Sequence, residues 1–287
     1  MLKKNYQFIS VLQGTTLIEL MLAITLSSLI FTSVISVYLV VQRNFKTQDS
    51  LNSIHENSEI AMHILTDNIR MAGYIGCAKL SNHHYLSQYL AYSLFPSTKI
   101  FGAKSYSDEI TVRRINPKSA ALATPAYLSS VIYASAKPRF KKEDVAVISD
   151  CKQAEIFQIK NIINLNGVQK IITYKPIIFE YAKNSEVSLF ESSTYFIAKT
   201  QRKYRDKKYV YALFVKNNNS PQVELAEGIE GMQLTYDVMN NNKIDALKAE
   251  QVSDWSKVIG VAISLKVASV HDFSFQKMSF NYVALRQ

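Results

Sequence analysis

Between Leu17 and Val41 the chain runs for twenty-five residues with a single charge, Glu19, and is flanked by Lys3 and Lys4 on one side and Arg43 on the other. A run of that length and composition is enough to cross the hydrocarbon core of a bilayer as a helix. A secretory signal peptide would end at a small-x-small site after its apolar stretch. Here the candidate cleavage point, Gly14 followed by Thr15, lies before the stretch, so the apolar segment would be kept. The carboxylate is the second anomaly. On insertion scales an acidic side chain within a membrane helix costs roughly 2.5 to 3.5 kcal/mol, so Glu19 needs a partner or a shallow position.

Helical spacing persists after Val41 while the polarity changes. Leu51, Ile54, Ser58, Ala61, Met62, Leu65 and Ile69 recur at steps of three and four, as on one face of an amphipathic helix. No Pro or Gly interrupts Thr15 to Ala72. One continuous helix of that span would measure roughly 87 Å at 1.5 Å per residue. Gly73 is the expected stop, because glycine readily takes the left-handed conformation that ends helices. From Ser81 to Pro138 the chain reads as irregular, with Pro96, Pro117, Pro125 and the pair His83-His84 among short apolar pieces. Beyond Asp144, β-rich runs follow at Val145 to Ile148, Glu155 to Ile159, Lys170 to Tyr174, Thr194 to Ala198, Tyr209 to Val215, Gln233 to Val238, Val258 to Val270 and Met278 to Leu285. Turn residues such as Asn217-Asn218-Asn219 separate them, and an antiparallel sheet is the natural outcome. The count of 17 Tyr and 14 Phe against 8 Gly and 6 Pro fits such a strand-rich body and argues against low complexity.

The formal charge of +10 suits an anionic partner, nucleic acid or a lipid surface. Loss of Lys3 and Lys4 with a leader would lower it to +8. The sharpest cluster is Gln201 to Tyr209, where Arg202, Lys203, Arg205, Lys207 and Lys208 interleave with Tyr204 and Tyr209. Such interleaving can track a phosphate backbone, which makes these five residues the candidate nucleic-acid contacts. The plainer reading, preferred here, is a hairpin turn whose charges keep its tip solvated.

Two cysteines, Cys77 and Cys151, lack metal-ligand spacing; one bridge is their simplest use, and two buried thiols are the alternative. Asp237 to Asp245 lacks the glycine and the closing glutamate of a calcium loop and reads as a solvated turn. His55 and His63 read as helix-face residues, and Trp255 as a core residue of the body. No metal site, no cofactor and no enzyme activity are expected, since neither a His-Asp-Ser arrangement nor a glycine-rich phosphate loop is identifiable.

The word Gly14-Thr15-Thr16-Leu17-Ile18-Glu19-Leu20-Met21 resembles the processing site of type IV prepilins and type II secretion pseudopilins. Arg70-Met71-Ala72-Gly73-Tyr74-Ile75-Gly76-Cys77 resembles the end of the long helix in the PilW family of minor pilins. Glu227 to Tyr236, Trp255 with Val258, Val261 to Leu265 and the terminal Leu285-Arg286 are similar to that family in order and spacing. The resemblance covers both ends of the chain well and the middle poorly.

What it implies is specific. The fold would be α+β, a pilin-like lollipop with a long N-terminal helix and a C-terminal antiparallel sheet head. Residues 1–14 would be the cleaved leader, 15–41 the membrane or filament-core half of the helix, 42–72 its amphipathic half and 73–287 the periplasmic or extracellular head. A prepilin peptidase would cut after Gly14 and methylate Thr15, where the family usually has Phe. Glu19 would be the assembly carboxylate, paired with a neighbour's terminal amine. Cys77 and Cys151 match the two-cysteine habit of these pilins, which implies their mutual disulfide. Partners would be other minor pilins, the major pilin, the inner-membrane assembly platform and a tip adhesin. The chain would cross the bacterial inner membrane once, N-terminus in the cytoplasm, before joining a surface pilus. A J-type pseudopilin of type II secretion is the neighbouring alternative, and a DNA-binding minor pilin for natural uptake the more distant one.

Overall fold

A computed structural model describes residues 16–77, 94–101, 105–204, 207–218, 220–240 and 243–285. The chain divides into two compact units, Met1–Asp49 and Ser50–Gln287. One helix, α1 (Leu17–Arg70), is followed by thirteen strands among the described residues. The architecture is therefore a long apolar N-terminal helix followed by an antiparallel β domain, as the sequence implies. Against the Thr15 to Ala72 span, the helix stops two residues early at its far end; at its start Thr16 precedes it and Thr15 lies outside the described residues. At the far end Ala72 makes a tight-turn bond to Ile69, and the Gly73 N–H donates instead to the Arg113 carbonyl of a strand, at 2.9 Å.

The strands are β1 (Leu94–Phe101), β2 (Ser105–Ala121), β3 (Ser129–Ser135), β4 (Val145–Ser149), β5 (Ala154–Leu165), β6 (Val168–Ile177), β7 (Glu186–Lys203), β8 (Tyr209–Asn217), β9 (Val223–Glu227), β10 (Ile229–Asn240), β11 (Lys243–Leu247), β12 (Val258–Ala268) and β13 (Gln276–Ala284). All pairings are antiparallel. The larger sheet has the order β1-β2-β7-β4-β5-β6-β3, with β8 also on β7 and β9 on β8. The smaller one has the order β11-β10-β12-β13.

The expectation of irregular chain from Ser81 to Pro138 is corrected by β1, β2 and β3, which occupy much of that stretch. Its prolines misled because they sit where sheets tolerate them. Pro96 lies on β1, an edge strand, opposite Ile110, and Pro117 falls in the register break of β2 between Ile115 and Ser119. Positions 78–93, with His83 and His84, lie outside the described residues. β9 and β11 are further strands that the alternation did not reveal; five-residue strands at sheet edges carry little pattern.

The main core joins α1 to both sheets. Ile54, Ala61, Met62, Leu65 and Ile69 pack with Met232, Leu234, Tyr236 and Val238 of β10, Val261, Ile263 and Leu265 of β12, and Ile110, Tyr195, Ile197 and Leu213 of the larger sheet. The helical stripe falls as the spacing predicts, with one exception. Leu51 is half exposed, and Ser50 takes the buried place one residue earlier. Trp255 meets Tyr236 edge-to-face, ring centroids 5.0 Å apart, beside this core. A second core fills the β3-β6 side around Ile132, Ile159, Ile171 and Tyr181, and a third gathers Ile75, Ile115, Val147 and Ala154.

Gly228 separates β9 from β10 at φ 73°, and a Cβ there would collide with the Ala268 carbonyl, on the residue whose N–H bonds the Gly228 carbonyl at 2.8 Å. Left-handed geometry alone costs a side-chain-bearing residue about 1–2 kcal/mol. Gly228→Ala is expected to destabilise the fold by more than that, because a backbone contact must also open. Chemical denaturation of the variant against the native chain measures the difference.

Candidate functional site

The helix begins with a reciprocal cap. Thr16 accepts a hydrogen bond from the Glu19 N–H on Oγ1 at 3.4 Å, and the Thr16 N–H donates to Glu19 Oε2 at 2.9 Å. This is a capping box, in which Ser or Thr at the cap and Glu three residues on satisfy two otherwise unpaired donors. Glu19 is therefore engaged within its own chain, a role the sequence reading missed although the Thr-x-x-Glu spacing was readable. Gly14 and Thr15 lie outside the described residues. Thr16 and Glu19 are exposed, and Glu19 sits where the positive end of the helix dipole favours an anion.

Beyond Glu19, the side chains from Leu17 to Val41 are uniformly exposed; Leu17 is 77 % and Phe31 67 % accessible. Five hydroxyls in this stretch bond back along the helix. Thr25 donates to the Leu22 carbonyl, Ser28 to Thr25, Thr32 to Ser28, Ser33 to Leu29 and Ser36 to Ser33, at 2.7–2.9 Å. Polar side chains tied to their own backbone make no outward demand for hydrogen bonds, which is what an apolar surrounding requires. Among the described residues this is the one helix long and apolar enough to cross a membrane.

The disulfide between Cys77 and Cys151 is present, with Cα atoms 4.6 Å apart. Local structure brings the two together. After α1, Gly73 and Tyr74 run along β2, the second through its carbonyl to the Ile115 N–H at 2.9 Å. Gly76 then turns at φ 86° against Glu186 and Ser149. Cys151 lies in the β4–β5 turn, where Asp150 Oδ1 accepts from the Lys152 and Gln153 N–H groups at 2.8 and 2.7 Å. The bridge thus ties the exit of the helix to the middle of the larger sheet.

The basic cluster is the β7–β8 hairpin. Lys203 pairs with Tyr209, and the Tyr204 N–H donates to the Lys208 carbonyl at 2.8 Å. Arg202 forms ion pairs with Glu224 and, at 2.9 Å, with Glu227 of β9. Lys203 Nζ stands 4.8 Å from the Tyr209 ring centroid, with Lys199 Nζ on the same ring at 5.3 Å, and Lys208 Nζ is 4.5 Å from that of Phe273. Lys207 is exposed with φ 67°, and Arg205 lies outside the described residues. The five sequence candidates do not therefore form one uniform cationic face. Arg202 is opposed by carboxylates from 22 and 25 residues away, a partnership that no local motif announces.

Beneath the hairpin, Glu230 accepts a hydrogen bond from the Tyr204 hydroxyl at 3.0 Å. Burial pushes its carboxyl above the usual range, against the pull of that hydroxyl, of the Tyr211 backbone and of Lys266 and Lys208. Elsewhere in the domain, burial likewise raises Glu155, although the Ile178 and Phe179 N–H groups bind it, and pushes Tyr195 up to about 12. His55 and His63 are exposed and pair with Glu59 and Asp67 one turn on, at 3.3 and 3.2 Å. In the Asp237–Asp245 stretch, Asn240 of β10 faces Lys243 of β11; Asn241 and Asn242 are outside the described residues. No protein-family model matches the chain, and no curated protein matches it.

Two outcomes follow from this geometry. Replacing both cysteines by serine is expected to cost about 4 kcal/mol in the chain-entropy account of a loop this long, read from denaturant titrations of the native and variant chains in the same detergent. For Glu230 the sign is set by its raised pKa. The folded state binds the proton more tightly than the unfolded one, so the stabilising contribution is complete below the ordinary carboxyl value of 4.5 and fades as pH rises through the folded value. Glu230→Gln keeps an acceptor for Tyr204 but does not ionise. Its melting temperature relative to the native chain should rise between pH 4 and pH 7; a difference independent of pH would contradict the assignment.

Proposed function

We propose that the chain is a prepilin-like subunit, a minor pilin of the PilW type, that is held in the bacterial inner membrane by residues 15–41 and enters a pilus by packing of that helix. The observation that carries this reading is the isolation of Glu19, the lone charge at the start of a twenty-five-residue apolar surface with no buried side chain. The disulfide and the antiparallel domain after the helix are compatible features, and the words around Gly14 and Gly73 supply the family resemblance.

The mechanism is assembly. A prepilin peptidase cuts after Gly14 and leaves Thr15 as the new terminus. In the free subunit Glu19 spends one carboxylate oxygen on the Thr16 N–H, and the second remains for the terminal ammonium of a neighbour. A buried carboxylate and a buried ammonium each lose hydration, which is offset only when they meet in good geometry; a wrong register leaves both unpaired. Other minor pilins and the major pilin supply those neighbours, and the inner-membrane platform drives the transfer. The place of such a subunit is the start of assembly, at or near the pilus tip.

Mass spectrometry of the mature N-terminus should find a methylated Thr15. Glu19→Ala should still be cut but should abolish incorporation, scored as pili per cell and as the variant's presence in sheared fibres. Glu19→Gln separates the two roles of the side chain, since it retains an acceptor for the cap but carries no charge. Native pilus numbers with Glu19→Ala would sink the mechanism, and native numbers with Glu19→Gln alone would reduce Glu19 to a capping residue.

A further inference from the structure

We infer that the β7–β8 hairpin binds a single-stranded nucleic acid through Lys199, Lys203 and Tyr209, a cationic and aromatic face that adds Lys199 to the cluster read from the sequence and leaves Arg202 out. This inference does not rest on the pilin reading.

Two ammonium groups lie within 5.3 Å of the centroid of one tyrosine ring, and that ring is itself 41 % exposed. Each contact with the ring offers a lysine a modest gain at an exposed site. Neither contact neutralises a charge, so two like charges are gathered at one place with their ammonium groups open to water. Lys199 is not part of the Gln201–Tyr209 word at all; it arrives because a register break in β7, between Lys199 and Lys203, brings both over Tyr209. The adjoining Arg202 is different. Its guanidinium is held by Glu224 and Glu227, which fixes the hairpin against β9 and removes that side chain from competition for an external anion. What remains outward is an exposed ring flanked by lysines, the combination that follows a phosphate backbone and stacks bases. The chain's excess of basic residues adds a long-range attraction of the same sign.

The test uses the full chain in a nonionic detergent and the fluorescence anisotropy of a labelled twenty-nucleotide single strand over a salt series. Lys199→Ala with Lys203→Ala should weaken binding about tenfold at low salt and reduce the slope of log K against log salt by about 1.4, from two lost phosphate contacts on a single strand. Glu224→Gln with Glu227→Gln should tighten binding, because it releases Arg202; no loss of folding can imitate a gain. Matching melting temperatures establish that the lysine variant is folded. Unchanged affinity in both double variants overturns the proposal. So does tighter, lysine-dependent binding of a twenty-base-pair duplex, which would assign the face to double strands, or lysine-dependent binding of heparin without binding of DNA, which would assign it to sulfated polymers.

Discussion

The domain depends on the seating of one helical stripe on two sheets at once. Ile54, Leu65 and Ile69 are almost wholly buried in one core shared with side chains of β10 and β12 and of β2, β7 and β8. Each such side chain contributes about 1.5–3 kcal/mol when removed from water. Three of them thus outweigh the roughly 4 kcal/mol that a disulfide closing a loop of this length supplies. The bridge has a different task. It holds the chain's exit from α1 to the β4–β5 turn, where the small cluster of Ile75, Ile115, Val147 and Ala154 has few side chains to hold it.

Within the larger sheet the organising element is β7. One edge pairs with β2 from Ile110 to Ala121, and the other is shared between β4 at the start of the strand and β8 along the rest. One strand thereby belongs to two cores. Tyr195 and Ile197 face the helix-bearing core, while Val187 faces the one around Ile171 and Tyr181. The basic hairpin is the far end of this same strand. Its placement against β9 is an outcome of sheet order as much as of charge.

Much of this was legible where one face of an element is buried. The α1 stripe and β12, which alternates buried and partly exposed residues for most of its length, could be read directly from spacing. The failures share a cause: the relevant constraint came from elsewhere in the chain. Pro96 and Pro117 look like breakers until β1 is known to be an edge and β2 to be broken in register. Thr194 to Ala198 shows a short alternation inside a strand of 18 residues, because both sides of β7 are partly covered and polar and apolar residues mix. At the N-terminus the signal is local: the Thr-x-x-Glu spacing of Thr16 and Glu19 is that of a capping box, which sits beside any intermolecular role of Glu19. The ion pairs of Arg202 could not be read at all, since they depend on β8 folding back to bring β9 alongside.

The five hydroxyls folded back onto the backbone of α1 have a consequence for how this segment can change surroundings. Bonded internally, these five hydroxyls lose and gain no hydrogen bonds when one apolar neighbour replaces another, whether that neighbour is an acyl chain or a second helix. Lateral exchange along most of its length is then nearly isoenergetic and governed by shape. The electrostatic work of such a move concentrates at the first turn, where Glu19, the segment's one charge, is capped by Thr16.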